Sequence, residues 1–345
     1  MNVHFFITFA KDANDSPFAQ ELNKQSINCR IFSDLVSLRY SRRVWLYLIG
    51  WPRMMLFGFR QSVRSLFTEP RPDWVVAQSH FDILAMSIVS LLLFRKRPKL
   101  MLLGFIYTRR QQQWIAKIKR CYFSIIVGLA HRVVCHSVLE VEDNRRFFNS
   151  PDSKFIFIPY GLHVYAPRSS AQLQPDSEPY ALSAGRSGRD YALLGRVFAE
   201  LGYPLRIVCD SDQAVKEVES AENIRILNSC YGEDYLKQLA AAKLVIVPIA
   251  VDDISAGQMV FLQAMALRKP VIITDTPTTR LYAEHGKTAL LVEKGSFTEL
   301  KLAVEAVWGD VELAARLAET GYRHFCDQHS MAVFVKNICD VLKAS

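Results

Sequence analysis

The stretch best suited to chemistry is residues 255–289, SAGQMVFLQAMALRKPVIITDTPTTRLYAEHGKTA. Ser255 and Gln258 have the spacing of a capping box, and the apolar run from Met259 onward predicts a helix. The N–H groups at a helix start bind anions, and Gly257 lets a ligand approach the backbone there. We therefore predict that the N–H groups of Gly257, Gln258 and Met259 hold an anion.

A second candidate site is the segment YALSAGRSGRD at residues 180–190. Its apolar run predicts a strand over residues 180–184, and Gly185, Arg186 and Arg189 follow it. Guanidinium groups bind phosphates through two parallel hydrogen bonds and neutralise the charge that builds on a phosphate leaving group. The alternative is that the two arginines form surface salt bridges.

Both stretches resemble the donor-binding core of the retaining GT-B glycosyltransferases of the group 1, or family 4, type. The segment SKFIFIPYGL at residues 153–162 resembles the strand that leads out of the first domain in that family. The Lys-Pro-Val-Ile and Thr-Asp elements of that family are present, while its two Glu positions carry Ser255 and Gln263. The resemblance implies an α/β protein with two doubly wound Rossmann-like domains facing a cleft. It also implies that Ser255 touches the transferred sugar and that Gln263 binds the ribose of the nucleotide.

The candidate roles divide into catalysis and donor binding. Arg186, Arg189 and Ser255 are predicted to be catalytic. The predicted donor-binding residues are Gly185, Gly257, Gln258, Met259, Gln263 and Thr276, the last through a hydroxyl contact.

Other polar residues have two possible interpretations. Asp252 and Asp253 either replace the missing carboxylate or are solvated loop residues. His80 follows a predicted strand, where it either faces the acceptor or is structural. Asp210 and Asp212 form only a weak Asp-x-Asp motif, and no other cluster has metal-ligand spacing, so we predict neither a metal nor a cofactor.

Charge divides the chain into two unlike halves. Residues 1–165 contain 23 Lys and Arg against 11 Asp and Glu, a net +12, whereas the remainder has a net charge of −4. A basic half favours an anionic partner. In residues 35–67, arginines alternate with tryptophans and long aliphatic residues, which predicts either a segment bound to an anionic membrane surface or a helix packed on the core with a solvated basic face.

No apolar run has the ~20 residues that a spanning helix needs, and no secretory signal is apparent. The seven cysteines have no paired spacing, as is typical of a reducing compartment. We therefore expect a cytoplasmic protein, peripheral on the inner membrane face.

Short apolar runs alternate with longer amphipathic ones, which predicts two parallel sheets covered by helices. Domain boundaries are expected at 1–164 and 180–345, with a polar linker at 165–179. Predicted strands are 3–9, 74–77, 100–103, 133–135 and 155–158, then 180–184, 205–209, 224–227, 244–248, 271–273 and 289–292. Predicted helices are 17–24, 82–94, 114–129 and 138–148, then 191–201, 214–220, 234–242, 258–267 and 297–308, with terminal helices in 311–344.

The function that these features favour is transfer of a sugar from a nucleotide-diphosphate sugar to a lipid-linked saccharide or cell-surface polysaccharide. The resemblance implies retention at the anomeric carbon, and the lack of metal-ligand spacing predicts that no metal takes part. An alternative is an inactive scaffold or nucleotide-sugar sensor in polysaccharide assembly. A nucleic-acid partner is not expected, because the basic half has no recognisable nucleic-acid-binding motif.

Overall fold

A computed structural model of the chain describes residues 1–8, 12–34, 44–107, 113–164, 178–251 and 255–344, without the side chains of residues 44–51. The chain divides into two compact units. Met1–Ile158 and Met331–Ser345 form the first, and Pro159–Ser330 form the second. None of the helices in these described ranges is long and apolar enough to cross a membrane.

The first unit contains a six-stranded parallel sheet in the order β2-β1-β3-β4-β5-β6. Its strands are β1 (Asn2–Ile7), β2 (Asn28–Ser33), β3 (Trp74–Ala77), β4 (Lys99–Leu102), β5 (Arg132–Cys135) and β6 (Phe155–Phe157). Its helices are α1 (Pro17–Asn23), α2 (Val44–Phe67), α3 (His80–Leu92), α4 (Gln113–Leu129), α5 (Val138–Phe148) and α12 (Met331–Ala344).

Alternating side chains of β1 supply the two cores of this sheet, as the two-residue period of a strand requires. Phe6 packs in a cluster with residues of α2, α3, α4 and α5. Phe5 packs on the opposite face with Phe18 of α1 and Val335 of α12. Helices therefore cover both faces of the sheet.

The second unit contains another six-stranded parallel sheet, in the order β12-β11-β10-β7-β8-β9. Its strands are β7 (Ala181–Ala184), β8 (Leu205–Val208), β9 (Ile224–Leu227), β10 (Leu244–Val247), β11 (Val271–Thr274) and β12 (Leu290–Val292). Its helices are α6 (Tyr191–Leu201), α7 (Asp212–Val215), α8 (Gly232–Ala241), α9 (Gln258–Ala266), α10 (Phe297–Gly309) and α11 (Val311–His324), followed by a π-helical segment, Phe325–His329.

The predicted fold class is confirmed, and the predicted strands all form with ends shifted by at most two residues. The prediction missed β2, an edge strand, and it made α7 too long. It also assigned residues 180–345 to one domain, whereas α12 belongs to the first unit. The reason is that Val335, Ile338 and Cys339 of α12 are fully buried in the core of that unit.

The segment at 35–67 is described only in part. Residues 35–43 and the predicted linker residues 165–177 lie outside the described ranges. In α2, Phe57 and Leu66 are buried against the first core, as the core-packing interpretation requires. Arg53, Arg60 and Arg64 lie on the exposed side of the helix.

Asp82, in the first turn of α3, is fully buried beside Gly58 of α2. Burial raises its carboxyl pKa to about 8 from 3.8. Between these two pH values the folded state binds more protons than the unfolded state, so this group makes the protein less stable as pH rises through the window.

Asp82→Asn removes the titrating group while keeping its shape. We expect it to raise the free energy of unfolding near pH 8 by roughly 2–4 kcal/mol and to have a much smaller effect near pH 5, measured by urea denaturation. Asp152→Asn, at an exposed position, is the control. An equal effect of Asp82→Asn at both pH values would contradict this assignment.

Candidate functional site

The candidate site lies at the carboxyl ends of the strands in the second unit. Strand β7 lies between β10 and β8, so the chain leaves its two central strands, β7 and β10, in opposite directions. Ligands of doubly wound sheets bind at this switch in strand order. The loops after β7 and β10 are joined there by hydrogen bonds from Asp190 N to Pro248 O at 3.1 Å and from Ala250 N to Gly188 O at 2.9 Å.

Helix α9 begins at Gln258, and its N-cap is Gly257 with φ +93°. The predicted capping box is therefore wrong, since Ser255 lies two residues before the cap and no side chain caps the helix. A Cβ atom on residue 257 would lie 2.9 Å from Val247 Cγ1. Glycine is required here both for its left-handed conformation and for this close approach.

The first turn of α9 has the donor groups expected of an anion site. In a helix, the first N–H groups have no intrahelical acceptor, which here applies to Gln258 and Met259. Met259 is exposed, whereas Gln258 is buried. The side-chain nitrogen of Gln258, Nε2, has no hydrogen-bond partner among the described residues. Ser255 is half-buried, and Asp252 and Asp253 lie outside the described residues.

Arg186 extends across the strand ends towards β8. Its Nη1 lies 3.2 Å from Asp210 Oδ2, and the Tyr231 hydroxyl donates to the same carboxylate oxygen at 3.3 Å. Asp210 thus connects residues that follow β7, β8 and β9. The ion pair is partly exposed, and such a pair contributes only about 0–1 kcal/mol to stability.

Arg189, unlike Arg186, bonds to the backbone of its own loop and stabilises the β7 loop. Its Nε donates to Ala184 O at 3.0 Å and its Nη1 to Ser187 O at 2.9 Å. Burial lowers the pKa of its guanidinium group. Gly185 has φ +107°, and a Cβ atom there would lie 2.7 Å from Arg189 Nη2. The glycine therefore makes room for the arginine.

Gln263 faces α8 rather than bulk solvent. Its Oε1 accepts a hydrogen bond from the Tyr235 hydroxyl at 3.0 Å. Thr276 is buried in the loop after β11, where its hydroxyl accepts from Thr279 N at 3.1 Å. That hydroxyl therefore forms part of a local turn.

His80 lies in the first unit, at the start of α3. Its Nδ1 is 2.8 Å from the Tyr122 hydroxyl, and burial lowers its pKa to about 4. The imidazole is therefore neutral at physiological pH. It packs against Phe81 and Phe123 in an aromatic cluster.

Sequence reasoning did not assign Tyr231 or Tyr235 to the site. Both follow β9, and Tyr231 is 60% exposed beside Asp210. The signal available in the sequence was an aromatic residue shortly after the predicted strand 224–227, which could have been assigned to the site. Within the Asp-x-Asp motif, Asp210 pairs with Arg186, and the intervening Ser211 hydroxyl caps α7. Within the described residues, no three His, Cys, Asp or Glu side chains cluster as metal ligands would.

Comparison with known proteins finds one sequence model that matches part of the second unit. Residues 192–310, from α6 to the end of α10, match the sequence model described as Glycosyl transferases group 1. This similarity lies within the second unit. The match contains Ser255, Gly257 and Gln263 and begins after the β7 loop. No curated protein shows significant sequence similarity to the chain.

Solved structures share the fold of the whole chain. Sucrose-phosphate synthase from Thermosynechococcus elongatus has a TM-score of 0.69 at 14% identity, covering 100% of this chain and 98% of that one. Anabaena HepE in complex with UDP has a TM-score of 0.66 at 13% identity, with both chains fully covered. A Rickettsia africae glycosyltransferase has a TM-score of 0.66 at 14% identity, covering 100% of this chain and 99% of that one. These structures show that the chain has the GT-B fold, and the group 1 match in the second unit indicates a glycosyltransferase.

The conformation of Gly257 gives a direct test of how the second unit is built. Gly257→Ala is expected to destabilise the protein by ~1–3 kcal/mol, because alanine at this φ is strained and its Cβ meets Val247. Gly309→Ala is the control, since no atom lies within 4 Å of its added Cβ. Equal melting temperatures of the two variants would contradict the assigned conformation.

Proposed function

We propose that the protein transfers a sugar from a nucleotide-diphosphate sugar to a glycan or lipid-linked acceptor, with retention and without a metal ion. The observation that carries the proposal is the position of α9. It begins at Gln258, directly after the Gly257 cap and beside the loop that bears Arg186, at the switch in strand order of the sheet.

Two kinds of donor group stabilise the diphosphate leaving group in this proposal. The N–H groups of Gly257, Gln258 and Met259 bind one phosphate at the positive end of the helix. Arg186 adds a cation that Asp210 positions, and this charge takes the place of a metal. Arg189 acts by holding the β7 loop in shape.

The rest of the donor is assigned to neighbouring residues. Gln263, oriented by Tyr235, binds the ribose, and Ser255 lies next to the transferred sugar. Tyr231 provides an exposed ring for stacking on the base. A uridine nucleotide is the first candidate donor, since Anabaena HepE was solved with UDP-glucose.

We place the acceptor on the first unit, near the neutral imidazole of His80, and the protein on the cytoplasmic face of an anionic membrane. Support comes from the charge of the helices. In α2 and α4 there are three cations each and no carboxylate. Trp114 and Ile118 are exposed on α4 among these cations. Exposed apolar residues among cations suit a lipid surface.

A nucleotide-sugar sensor is the second candidate function. The observation that favours it is the presence of Ser255 and Gln263 at the two Glu positions of the family pattern. A sensor binds the donor without consuming it. Release of nucleoside diphosphate in the presence of acceptor therefore separates the two functions.

Arg186→Ala tests the donor site. With UDP at about 100 times its dissociation constant, the wild-type protein is expected to gain about 2.7 kcal/mol in thermal unfolding. The variant should bind UDP roughly 10- to 100-fold more weakly, because a charge-assisted hydrogen bond is lost, and should lose sugar transfer. Its stability without ligand should change little, since the Asp210 pair is partly exposed.

Arg196→Ala, on the exposed side of α6, is the matched control and should bind UDP like the wild type. Unchanged UDP affinity and normal sugar transfer by Arg186→Ala would overturn the proposed site.

A further inference from the structure

The end of α3 exposes four consecutive apolar residues, Leu91, Leu92, Leu93 and Phe94, here called the apolar tip. Their exposed fractions range from 38% for Leu93 to 97% for Phe94. Phe67, at the end of α2, is also exposed, and the Arg95 guanidinium lies 5.0 Å from its ring centroid. Exposed runs of three or more apolar residues are unfavourable in water, so their presence points to a function.

Phe94 combines solvent exposure with backbone strain. It follows the last residues of α3 with φ +49°, a left-handed conformation usually taken by glycine or asparagine. Arg95 N donates to Ser90 O at 2.9 Å across this turn. A phenylalanine here is unfavourable in both respects, and strain of this kind concentrates at functional sites.

A cationic cavity of about 550 Å³ adjoins the tip. It lies at the amino ends of β3 and β4, and its basic lining residues are Arg71, Arg95, Lys96, Arg97, Lys99 and Lys343. Asp73 is the one acidic residue among the lining residues that the structure describes, and its Oδ2 accepts a hydrogen bond from Asn2 N at 2.8 Å.

Neighbouring groups show that this edge of the sheet has an excess of positive charge. The pKa of His131 is lowered by burial and then by Arg97, Lys154 and Lys99. The pKa of Lys154 is lowered by burial and then by Arg132 and Arg97. The cavity is thus suited to phosphate groups.

We propose that the apolar tip inserts into an anionic lipid bilayer while Arg95, Lys96 and the cavity bind lipid phosphates. Apolar side chains beside cations are the combination that an anionic interface favours. A symmetric dimer through this surface would place cations opposite cations, because the same patch meets itself. A free nucleotide would occupy the cavity without requiring Phe94.

This surface adds an insertion site to the membrane association of the proposed function, beyond the cations of α2 and α4, and it rests on that proposal. It is separate from the candidate acceptor residue, since His80 and Leu92 occupy opposite ends of α3, roughly 18 Å apart. It is also separate from the donor site, which lies in the second unit. Variants at the tip therefore leave UDP binding intact.

The test is co-sedimentation of the full chain with vesicles of phosphatidylcholine alone or mixed with phosphatidylglycerol. The wild type should bind the mixed vesicles preferentially. Leu92→Ser combined with Phe94→Ser should reduce this binding at least about tenfold, since two inserted side chains are lost. Arg95→Glu combined with Lys96→Glu should reduce it roughly 30-fold, at about fivefold per cation.

Phe94→Gly distinguishes a loss of vesicle binding from a loss of folding stability. It should raise the melting temperature by relieving the left-handed strain, and it should weaken vesicle binding. Leu302→Ser and Lys216→Glu, exposed positions in the second unit, are the controls for apolar and charge changes and should bind like the wild type.

Three outcomes would overturn the docking surface: no preference of the wild type for anionic vesicles, unchanged binding by the tip variants, or a dimer that Phe94→Gly dissociates without any vesicle binding. UDP-induced thermal stabilisation of the same variants reports on the donor site independently. Failure of docking with intact UDP binding would therefore leave the donor assignment standing.

Discussion

The proposed donor site depends on the close approach of the α9 start to the end of β10. Gly257 makes this possible, since its φ of +93° and its missing Cβ let the chain turn beside Val247. The turn directs the first N–H groups of α9 to the strand ends. The β7 loop is hydrogen-bonded to the β10 loop, so Arg186 is held at the same edge. Neither the helix start nor the guanidinium group alone would make a diphosphate site.

Much of the fold follows from local sequence patterns. Strands β7, β10 and β11 are buried along their whole length and consist of apolar residues apart from Ser183 in β7 and Thr274 in β11. Edge strand β2 alternates polar and apolar residues, with Asn28 and Arg30 exposed, so its apolar signal is weak. The assignment of α12 to the first unit could not be predicted, because an amphipathic face does not identify the sheet that it covers.

The site was less predictable than the fold, because its contacts join residues far apart in the chain. Gln263 meets Tyr235 across 28 positions, and Arg186 meets Asp210 across 24. Spacing also favoured Ser255 as a helix cap, whereas the structure uses a left-handed glycine two residues later. Arg189 was grouped with Arg186 by residue type alone, although its donors bind its own loop. The roles of Ser255, Gln263 and Thr276 towards a donor remain predictions.

The most direct test of the central claim is hydrogen exchange of the backbone amides with and without UDP. Binding of a diphosphate at the start of α9 should slow exchange at Gly257, Gln258 and Met259, and should leave the first turn of α10 unchanged. UDP binding that leaves those three amides unaffected would contradict the account.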